Sequence, residues 1–238
     1  MLSLSSLFSR PKRFDYKGLT DWHSHILPGV DDGVEDMATS LTILGEYEKM
    51  GIKEVWLTPH IMEDVPNTTS KLKERHEDLL LAYHGPVIVR LASENMIDSL
   101  FYDRLAVNDV LPIGHKHNML LVETSTFNAP IDFEDTLKEI RHRGYYPLLA
   151  HPERYAYIQT IKDYKKLKEI GVLFQLNLLS LAGFYGRTAM DKSHSMLKNG
   201  MYDVFGTDLH RQEQLLHLNR LSLTKESSHS LHRTHAQL

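Results

Sequence analysis

Short apolar stretches, rich in β-branched and aromatic residues, alternate along the chain with longer stretches whose apolar residues recur at helical spacing. Helical spacing is clearest in residues 37–51 and 133–144, and both stretches end in glycine, as helices commonly do. The short stretches predict seven strands, at residues 18–22, 53–58, 86–92, 118–122, 145–149, 172–177 and 202–206.

This alternation predicts a parallel sheet whose strands are joined by crossover helices. No linker divides the 238 residues, so we expect one α/β domain over residues 17–222. At this length a distorted (β/α)7 barrel, similar to a TIM barrel, is the economical arrangement. Residues 1–16 are predicted to be a flexible lead, capable of a weak amphipathic contact with a membrane or partner. Residues 223–238 lack a hydrophobic period and are predicted to be a flexible tail with three histidines.

Composition narrows the class of protein. The net charge is −4 and no long basic run occurs, so nucleic acid is not an expected partner. No apolar stretch is long enough to predict an integral membrane segment. Cysteine is absent, which excludes disulfides, thiolate ligands and a cysteine nucleophile. We therefore expect a cytoplasmic protein, and its oligomeric state is left open, with a homo-oligomer as one possibility.

Histidines and carboxylates follow six of the seven predicted strands. Taken singly, each of these motifs is typical of an ordinary loop or helix start. In a parallel barrel, however, all strands end at one rim, where such proteins build their sites. The candidate metal ligands are His23, His25, Asp32, His60, Glu94, Glu123, His151, Asp208 and His210.

Four of these candidate ligands form two pairs, and the members of each pair are predicted to share one face of a strand. His23 and His25 are two residues apart, as are Asp208 and His210, and this spacing points both side chains to the same face. Imidazoles and carboxylates without thiolates suit Mn²⁺, Fe or Zn²⁺. Nine ligands are too many for one ion and fit two or three ions with bridging carboxylates. Three divalent ions would leave the pocket attractive to a phosphate dianion.

The ordered motifs "HSHILPGVDDG", "TPH", "AHPER" and "GTDLH" resemble those of the PHP (polymerase and histidinol phosphatase) family. Within it, "HILPGVDDG" and "AHPER" are most similar to the manganese-dependent tyrosine-protein phosphatases of the CpsB/CapC type, which are encoded with capsule and exopolysaccharide genes. The resemblance covers residues 21 to about 210 and implies the PHP fold, a seven-stranded barrel with three metal ions, expected to be Mn²⁺. The match is poor after the last motif, and "SENM" around Glu94 differs from familiar versions.

The resemblance also implies how the ligands are shared. His23, His25, Glu94 and Asp208 would hold one ion; Glu94 would bridge to a second, held by His60 and Glu123; Asp32, His151 and His210 would hold the third. Arg154 resembles the phosphate-orienting arginine of the family, and Arg211 is a candidate for a second phosphate-binding arginine. With Arg154, Asp208 and His210 form the predicted catalytic set.

The implied function is hydrolysis of phosphotyrosine on a protein by a metal-activated hydroxide. The expected partner is a bacterial tyrosine kinase of polysaccharide export. A small-molecule phosphatase such as a histidinol-phosphatase is the alternative enzyme, and the depth of the pocket distinguishes the two. Outside catalysis, the alternatives are a scaffold that retains metals for stability and a regulatory binder of tyrosine-phosphorylated kinase tails.

Overall fold

The computed structural model describes residues 11–115 and 118–235. Each of the seven predicted strand regions contains a strand, although two of the predicted strands continue as a second short strand after a break. Within the described residues the strands are β1 Lys12–Arg13, β2 Thr20–Ser24, β3 Glu54–Leu57, β4 His60–Ile61, β5 Ile88–Leu91, β6 Glu94–Met96, β7 Met119–Glu123, β8 Tyr146–Ala150, β9 Leu173–Asn177, β10 Val204–Gly206 and β11 Ser222–Leu223.

Helices connect successive strands and end at the signals that the sequence provides. The first helix begins after Asp36, whose side chain accepts a hydrogen bond from Thr39 N, and ends at Gly51 with φ of 78°. The α-helices described are α1 Met37–Met50, α2 Thr69–Ala82, α3 Ser99–Ala106, α4 Phe133–His142, α5 Ile161–Ile170, α6 Leu178–Leu181, α7 Gly186–Lys198, α8 Leu215–Arg220 and α9 Lys225–His235. Short 3-10 turns cover Pro152–Arg154 and Gln212–Gln214.

The parallel strands form a curled sheet in two pieces. One piece has the strand order β10-β9-β8-β7-β6-β4, and the other has the order β2-β3-β5. The pieces are continuous along the chain, because β3 leads into β4 and β5 into β6. Beyond β10, the chain also lies against β2: Asp208 N donates to His23 O at 2.7 Å and His25 N donates to Leu209 O at 3.0 Å. The architecture is therefore a mixed α/β fold with a half-barrel of parallel strands.

Alternation along the strands divides the core into two clusters. On β7, Leu120 and Val122 belong to the large cluster beneath the helices. Met119 and Leu121 belong to a smaller cluster inside the curl of the sheet. Trp22 and Trp56 stack in that inner cluster, with ring centroids 6.0 Å apart. The inside of the sheet is thus packed with side chains below its C-terminal rim.

The structure differs from the prediction at both ends of the chain. Strand β1 lies within the predicted flexible lead and pairs with β11, and Phe14 and Tyr16 are buried. Most of the predicted flexible tail forms α9, which packs against α7 and β10 and buries Leu231. The hydrophobic periodicity of these two segments is weak, so the sequence alone does not predict them. Contacts with distant parts of the chain order them. Residues 1–10 and 236–238 lie outside the described residues.

Among the residues that are described, no helix is both long and apolar enough to cross a bilayer.

Candidate metal centre

The inner faces of the strands change from apolar to ligand-type residues at the C-terminal rim. Leu121 lies in the inner core cluster, and Glu123, two residues later, shares its face of β7. In the same way Ala92 lies in that cluster, and Glu94 follows two residues later. The packed interior of the sheet therefore supports a layer of buried polar side chains above it.

An open cavity of about 430 Å³ lies over this layer. His23 and His25 are fully buried beneath it. The other nine predicted site residues line it, and so the fold brings all eleven together. These lining residues are Asp32, His60, Glu94, Glu123, His151, Arg154, Asp208, His210 and Arg211.

The first two predicted ligand sets occur as clusters whose candidate ligand atoms lie within 4.8 Å of one another. The first contains His23, His25, Glu94 and Asp208, and the second contains His60, Glu94 and Glu123. Glu94 is common to both clusters, as expected of a bridging carboxylate. Geometry places these residues together, and their ligand roles stay a prediction.

The third set differs from the prediction. Asp32 and His210 cluster with His25 and His60, not with His151. His151 Nε2 instead lies 3.1 Å from Glu94 Oε1 and 3.7 Å from Glu123 Oε2. The sheet order explains the difference, because His151 follows β8, which neighbours the Glu123 strand β7.

Hydrogen bonds at the Nδ1 atoms turn three imidazoles so that Nε2 faces the centre. His23 Nδ1 lies 3.0 Å from Gln175 Oε1, and His25 Nδ1 lies 2.8 Å from Asp31 Oδ2. His210 Nδ1 lies 2.9 Å from the carbonyl oxygen of Asp208. A proton on Nδ1 leaves Nε2 as a lone-pair donor, which is the arrangement that metal-binding histidines use.

The polar atoms facing the centre fit divalent cations better than they fit one another. His23 Nε2 and His25 Nε2 are 3.1 Å apart, although both nitrogens are lone-pair donors in the tautomers above. His60 Nδ1 and Glu123 Oε1 are buried and lack a hydrogen-bond partner among the described residues, although they lie 3.1 Å apart. Buried polar atoms without partners are costly, and bound cations would satisfy them. The donor set therefore fits divalent cations.

Mutual attraction keeps the carboxylates of the centre ionised. Burial alone would raise the pKa of Glu94, but the surrounding imidazoles, His23 foremost, hold that pKa well below its ordinary value when they are protonated rather than bound to a cation. The same balance holds the pKa of Asp208 well below its usual range. A hydrogen bond from His210 lowers the pKa of the more exposed Asp32 to about 2. All three carboxylates are ready to bind cations at neutral pH.

Two candidate ligands have a backbone conformation that non-glycine residues rarely adopt. His151 has φ of 33° and Asp208 has φ of 52°. Such conformations cost of the order of 1 kcal/mol each and persist where the surroundings enforce them. At Asp208 one enforcing contact is the bond from its backbone N–H to His23 O. Strain at these two positions therefore coincides with the polar centre.

Arg154 connects the centre to the wall of the cavity. Its Nη1 donates to Asp208 Oδ2 at 2.9 Å, and its guanidinium lies over the ring of Tyr185 at 4.2 Å from the centroid. Burial would lower the pKa of Arg154, but the nearby carboxylates, Asp208 first, raise it. Arg211 is exposed on the same cavity wall. Two cationic side chains thus line the space over the carboxylates.

Sequence reasoning missed the residues that orient the candidate ligands. Gln175 Oε1 accepts from His151 N at 3.0 Å in addition to its contact with His23. Asn177 Nδ2 donates to Asp208 Oδ2 at 2.7 Å. Both lie near the end of β9, which corresponds to the one predicted strand that no histidine or carboxylate follows. Asp31 was visible as an acid beside Asp32, but nothing in the sequence separates an acid that binds a ligand imidazole from one that binds an ion.

Fold and site together define an α/β protein with a candidate centre for several cations at the rim of a curled parallel sheet. The family model for capsular polysaccharide synthesis proteins CpsB/CapC matches residues 19–221. The chain therefore belongs to the CpsB/CapC family.

Two tyrosine-protein phosphatases are similar to this protein over most of the chain. Tyrosine-protein phosphatase YwqE of Bacillus subtilis is 26% identical over 197 residues, covering 81% of this chain and 77% of YwqE. Tyrosine-protein phosphatase CpsB of Streptococcus pneumoniae is 25% identical over 210 residues, covering 81% of this chain and 83% of CpsB.

Two solved structures are similar in fold to this chain. One match is among the crystal structures of YwqE from Bacillus subtilis and CpsB from Streptococcus pneumoniae, which are metal-dependent tyrosine phosphatases. It superposes on this chain with a TM-score of 0.76 at 26% identity, covering 90% of this chain and 87% of the other. The phosphotriesterase homology protein of Escherichia coli shares the fold, with a TM-score of 0.52 at 12% identity and 88% of each chain covered.

Proposed function

We propose that this protein is a metal-dependent phosphatase that hydrolyses phosphotyrosine on proteins. The observation that carries the proposal is the convergence of buried imidazoles on Glu94 at the floor of an open cavity with Arg154 on its wall. His23, His25 and His60 each place a ring nitrogen within 3.3 Å of the same Glu94 oxygen. The relatives YwqE and CpsB, named tyrosine phosphatases, support the assignment.

The proposal includes three divalent ions, with Mn²⁺ as the expected metal and Fe or Zn²⁺ as alternatives. The first two predicted ligand sets are kept, and the geometry supports adding His151 to Glu94 and Glu123. Asp32 and His210 are then proposed to hold the third ion, beside the ring of His60. When bound, such ions lower the pKa of water and offset the charge on phosphate.

Arg154 is proposed to orient the phosphoryl group. Its planar fork can hold two phosphate oxygens at once, and Tyr185 beneath it limits its motion. Arg211 is proposed as a second phosphate contact. Asp208 keeps Oδ1 directed at His23 and His25 Nε2, at 3.4 Å from each, while Arg154 and Asn177 donate to Oδ2. His210, anchored through Nδ1, is proposed to act at the third ion, with Asp32.

The proposed reaction exchanges one P–O bond for another. Hydroxide derived from water forms the new bond to phosphorus as the bond to the tyrosine oxygen breaks, and the departing phenolate takes up a proton. Phenol has a pKa of about 10, so this leaving group needs less protonation than an alkoxide does. The basic side chains stabilise charge on the equatorial oxygens.

An open mouth favours a tyrosine on a protein over a metabolite. Asp32, at the cavity, keeps 69% of its side chain exposed. A histidinol-phosphatase would favour a deep, enclosed pocket, and the exposed Asp32 side chain does not fit such a pocket. We propose a bacterial tyrosine kinase of capsule or exopolysaccharide synthesis as the partner. A seven-stranded barrel, a cytoplasmic location and possible homo-oligomerisation complete the proposal.

The test is phosphate release from a phosphotyrosine peptide by the purified chain, with added Mn²⁺ and after chelation. Arg154→Ala should lower kcat/KM by about 100- to 1,000-fold, as removal of a charge-stabilising donor does elsewhere. Arg187→Ala is the matched control, because Arg187 is exposed on α7 and pairs with Asp191 at 2.9 Å. Release that is unaffected by chelation would refute the proposal, and peptide binding without release would indicate a scaffold.

A further inference from the structure

We propose that Phe184 and His217 form an aryl-binding wall that favours phenyl phosphates over alkyl phosphates at this site. The inference rests on the proposed phosphatase function and adds residues that determine substrate class. Both side chains line the cavity above the carboxylates. Neither belongs to the predicted ligand or phosphate-binding residues.

Phe184 is an aromatic side chain left uncovered at the cavity. It is 42% exposed, although aromatic rings gain much from burial. It lies on the turn between α6 and α7, flanked by Gly183 with φ of 78° and Gly186 with φ of 87°. Positive φ favours glycine at both places, so this tight turn fixes where the ring is presented.

Two edge contacts hold the ring in place. Phe184 is 5.0 Å from the His217 ring at 73° between the planes, and 5.1 Å from the Tyr185 ring at 86°. Edge-to-face contacts of this kind favour a defined orientation. A ring that is already oriented loses little entropy when a ligand packs against it. The wall is therefore preorganised and still partly open to solvent.

The wall is linked to the proposed phosphate contact through one neighbouring residue. Tyr185, next in the chain to Phe184, lies beneath the Arg154 guanidinium at 4.2 Å. Its hydroxyl also donates to Asp208 Oδ2 at 3.3 Å. The turn thus sets the spacing between the phosphate-binding arginine and the aromatic wall. A phenyl ring bonded through oxygen to the phosphate extends from the arginine towards the open side of the cavity.

Alkyl phosphates lack the π face that such a wall contacts. A serine or glycerol phosphate can place its phosphate at Arg154 but presents only a short aliphatic group to Phe184. An aromatic pair in an offset or edge-to-face arrangement corresponds to a gain of about 2- to 10-fold in binding. The wall therefore selects between substrate classes by KM more than by kcat.

The experiment measures turnover of phenyl phosphate and of glycerol phosphate by the Mn²⁺-supplemented protein. Phe184→Leu should raise KM for phenyl phosphate by about 2- to 10-fold, with a small change in kcat, and should leave KM for glycerol phosphate unchanged. Phe184→Tyr, which keeps an aromatic ring, should leave KM for phenyl phosphate at the wild-type value. Phe127→Leu is the control, since Phe127 is 76% exposed on a different loop and does not line the cavity. Equal effects on both substrates, or none, would overturn the wall.

Binding of two unreactive analogues separates failure of the wall from failure of the phosphatase proposal. Phenylphosphonate should bind the wild-type protein about 2- to 10-fold more tightly than methylphosphonate, and Phe184→Leu should remove that preference. Absence of turnover together with the preference for phenylphosphonate would refute the phosphatase function and support the aryl-binding wall. Turnover with equal binding of the two phosphonates would overturn the wall alone.

Discussion

Asp21→Asn should weaken the junction where the start of the curled sheet lies against the chain around β10. The Asp21 carboxylate is buried and accepts four hydrogen bonds across this junction. Oδ2 accepts from Tyr47 OH at 2.6 Å and from Thr207 Oγ1 at 2.7 Å. Oδ1 accepts from Thr207 N at 2.8 Å and from His23 N at 3.2 Å. An asparagine of the same shape can keep only one of these two acceptor atoms.

The expected cost follows from the two bonds at Oδ2. A hydrogen bond to a charged group contributes about 1.5 to 3 kcal/mol, so two such bonds total about 3 to 6 kcal/mol. Part of this is offset because the amide carries no charge that must be desolvated. Tyr47 OH and Thr207 Oγ1 lie 2.9 Å apart and can still pair with each other. We therefore expect Asp21→Asn to lower the free energy of unfolding by about 2 to 3 kcal/mol.

Urea unfolding of the two proteins measures this difference, and thermal unfolding should show a Tm lower by about 4 to 12 °C. Phosphate release should fall as well, because Thr207 precedes Asp208 and Asp21 lies two residues before His23. Asp36→Asn is the matched control, since Asp36 caps α1 from an exposed position and asparagine caps equally well. A loss below about 0.5 kcal/mol in Asp21→Asn would refute the reasoning, because it would mean that the carboxylate is not needed at the junction.

Four further outcomes are expected. Thr160→Ala removes the capping box that Thr160 forms with Asp163 at the start of α5, and urea unfolding should show a loss of about 1 kcal/mol. Asn177→Leu removes the donor to Asp208 Oδ2, so kcat on a phosphotyrosine peptide should fall by about 10-fold or more while the Mn²⁺-supplemented protein stays folded. Chelation should lower Tm, because ions at about 1,000 times their Kd stabilise the native state by about 4 kcal/mol, and added Mn²⁺ should restore it. Burial lowers the pKa of His76 below its ordinary value of 6.5. Neutral His76 therefore contributes stability at pH values above 6.5, and this contribution is lost as the pH falls through the lowered pKa. His76→Asn should lose less stability than the wild type between about pH 7 and about pH 5.

Strand positions and candidate ligands could be predicted because both depend on local pattern. A buried strand such as β7 is a continuous apolar run, and the acid that ends it, Glu123, interrupts that run visibly. Parallel strands then bring such endings to one rim without any knowledge of detailed distances. By contrast, β1 and α9 depend on distant partners, β11 and α7, and have little pattern of their own. Sequence reasoning therefore succeeded where the periodicity is strong and failed where tertiary contacts alone order the chain.

The grouping of ligands was a harder problem than their identity, for a physical reason. An imidazole has two nitrogens, and the sequence does not say which one faces an ion. His25 faces the centre with Nε2 because Asp31 holds Nδ1, so the acid next to Asp32 orients a predicted ligand. His151 joins Glu123 because β8 lies beside β7, whereas His60 reaches Asp32 from β4. Such choices depend on strand order and on second hydrogen bonds, which are properties of the folded sheet and not of any single motif.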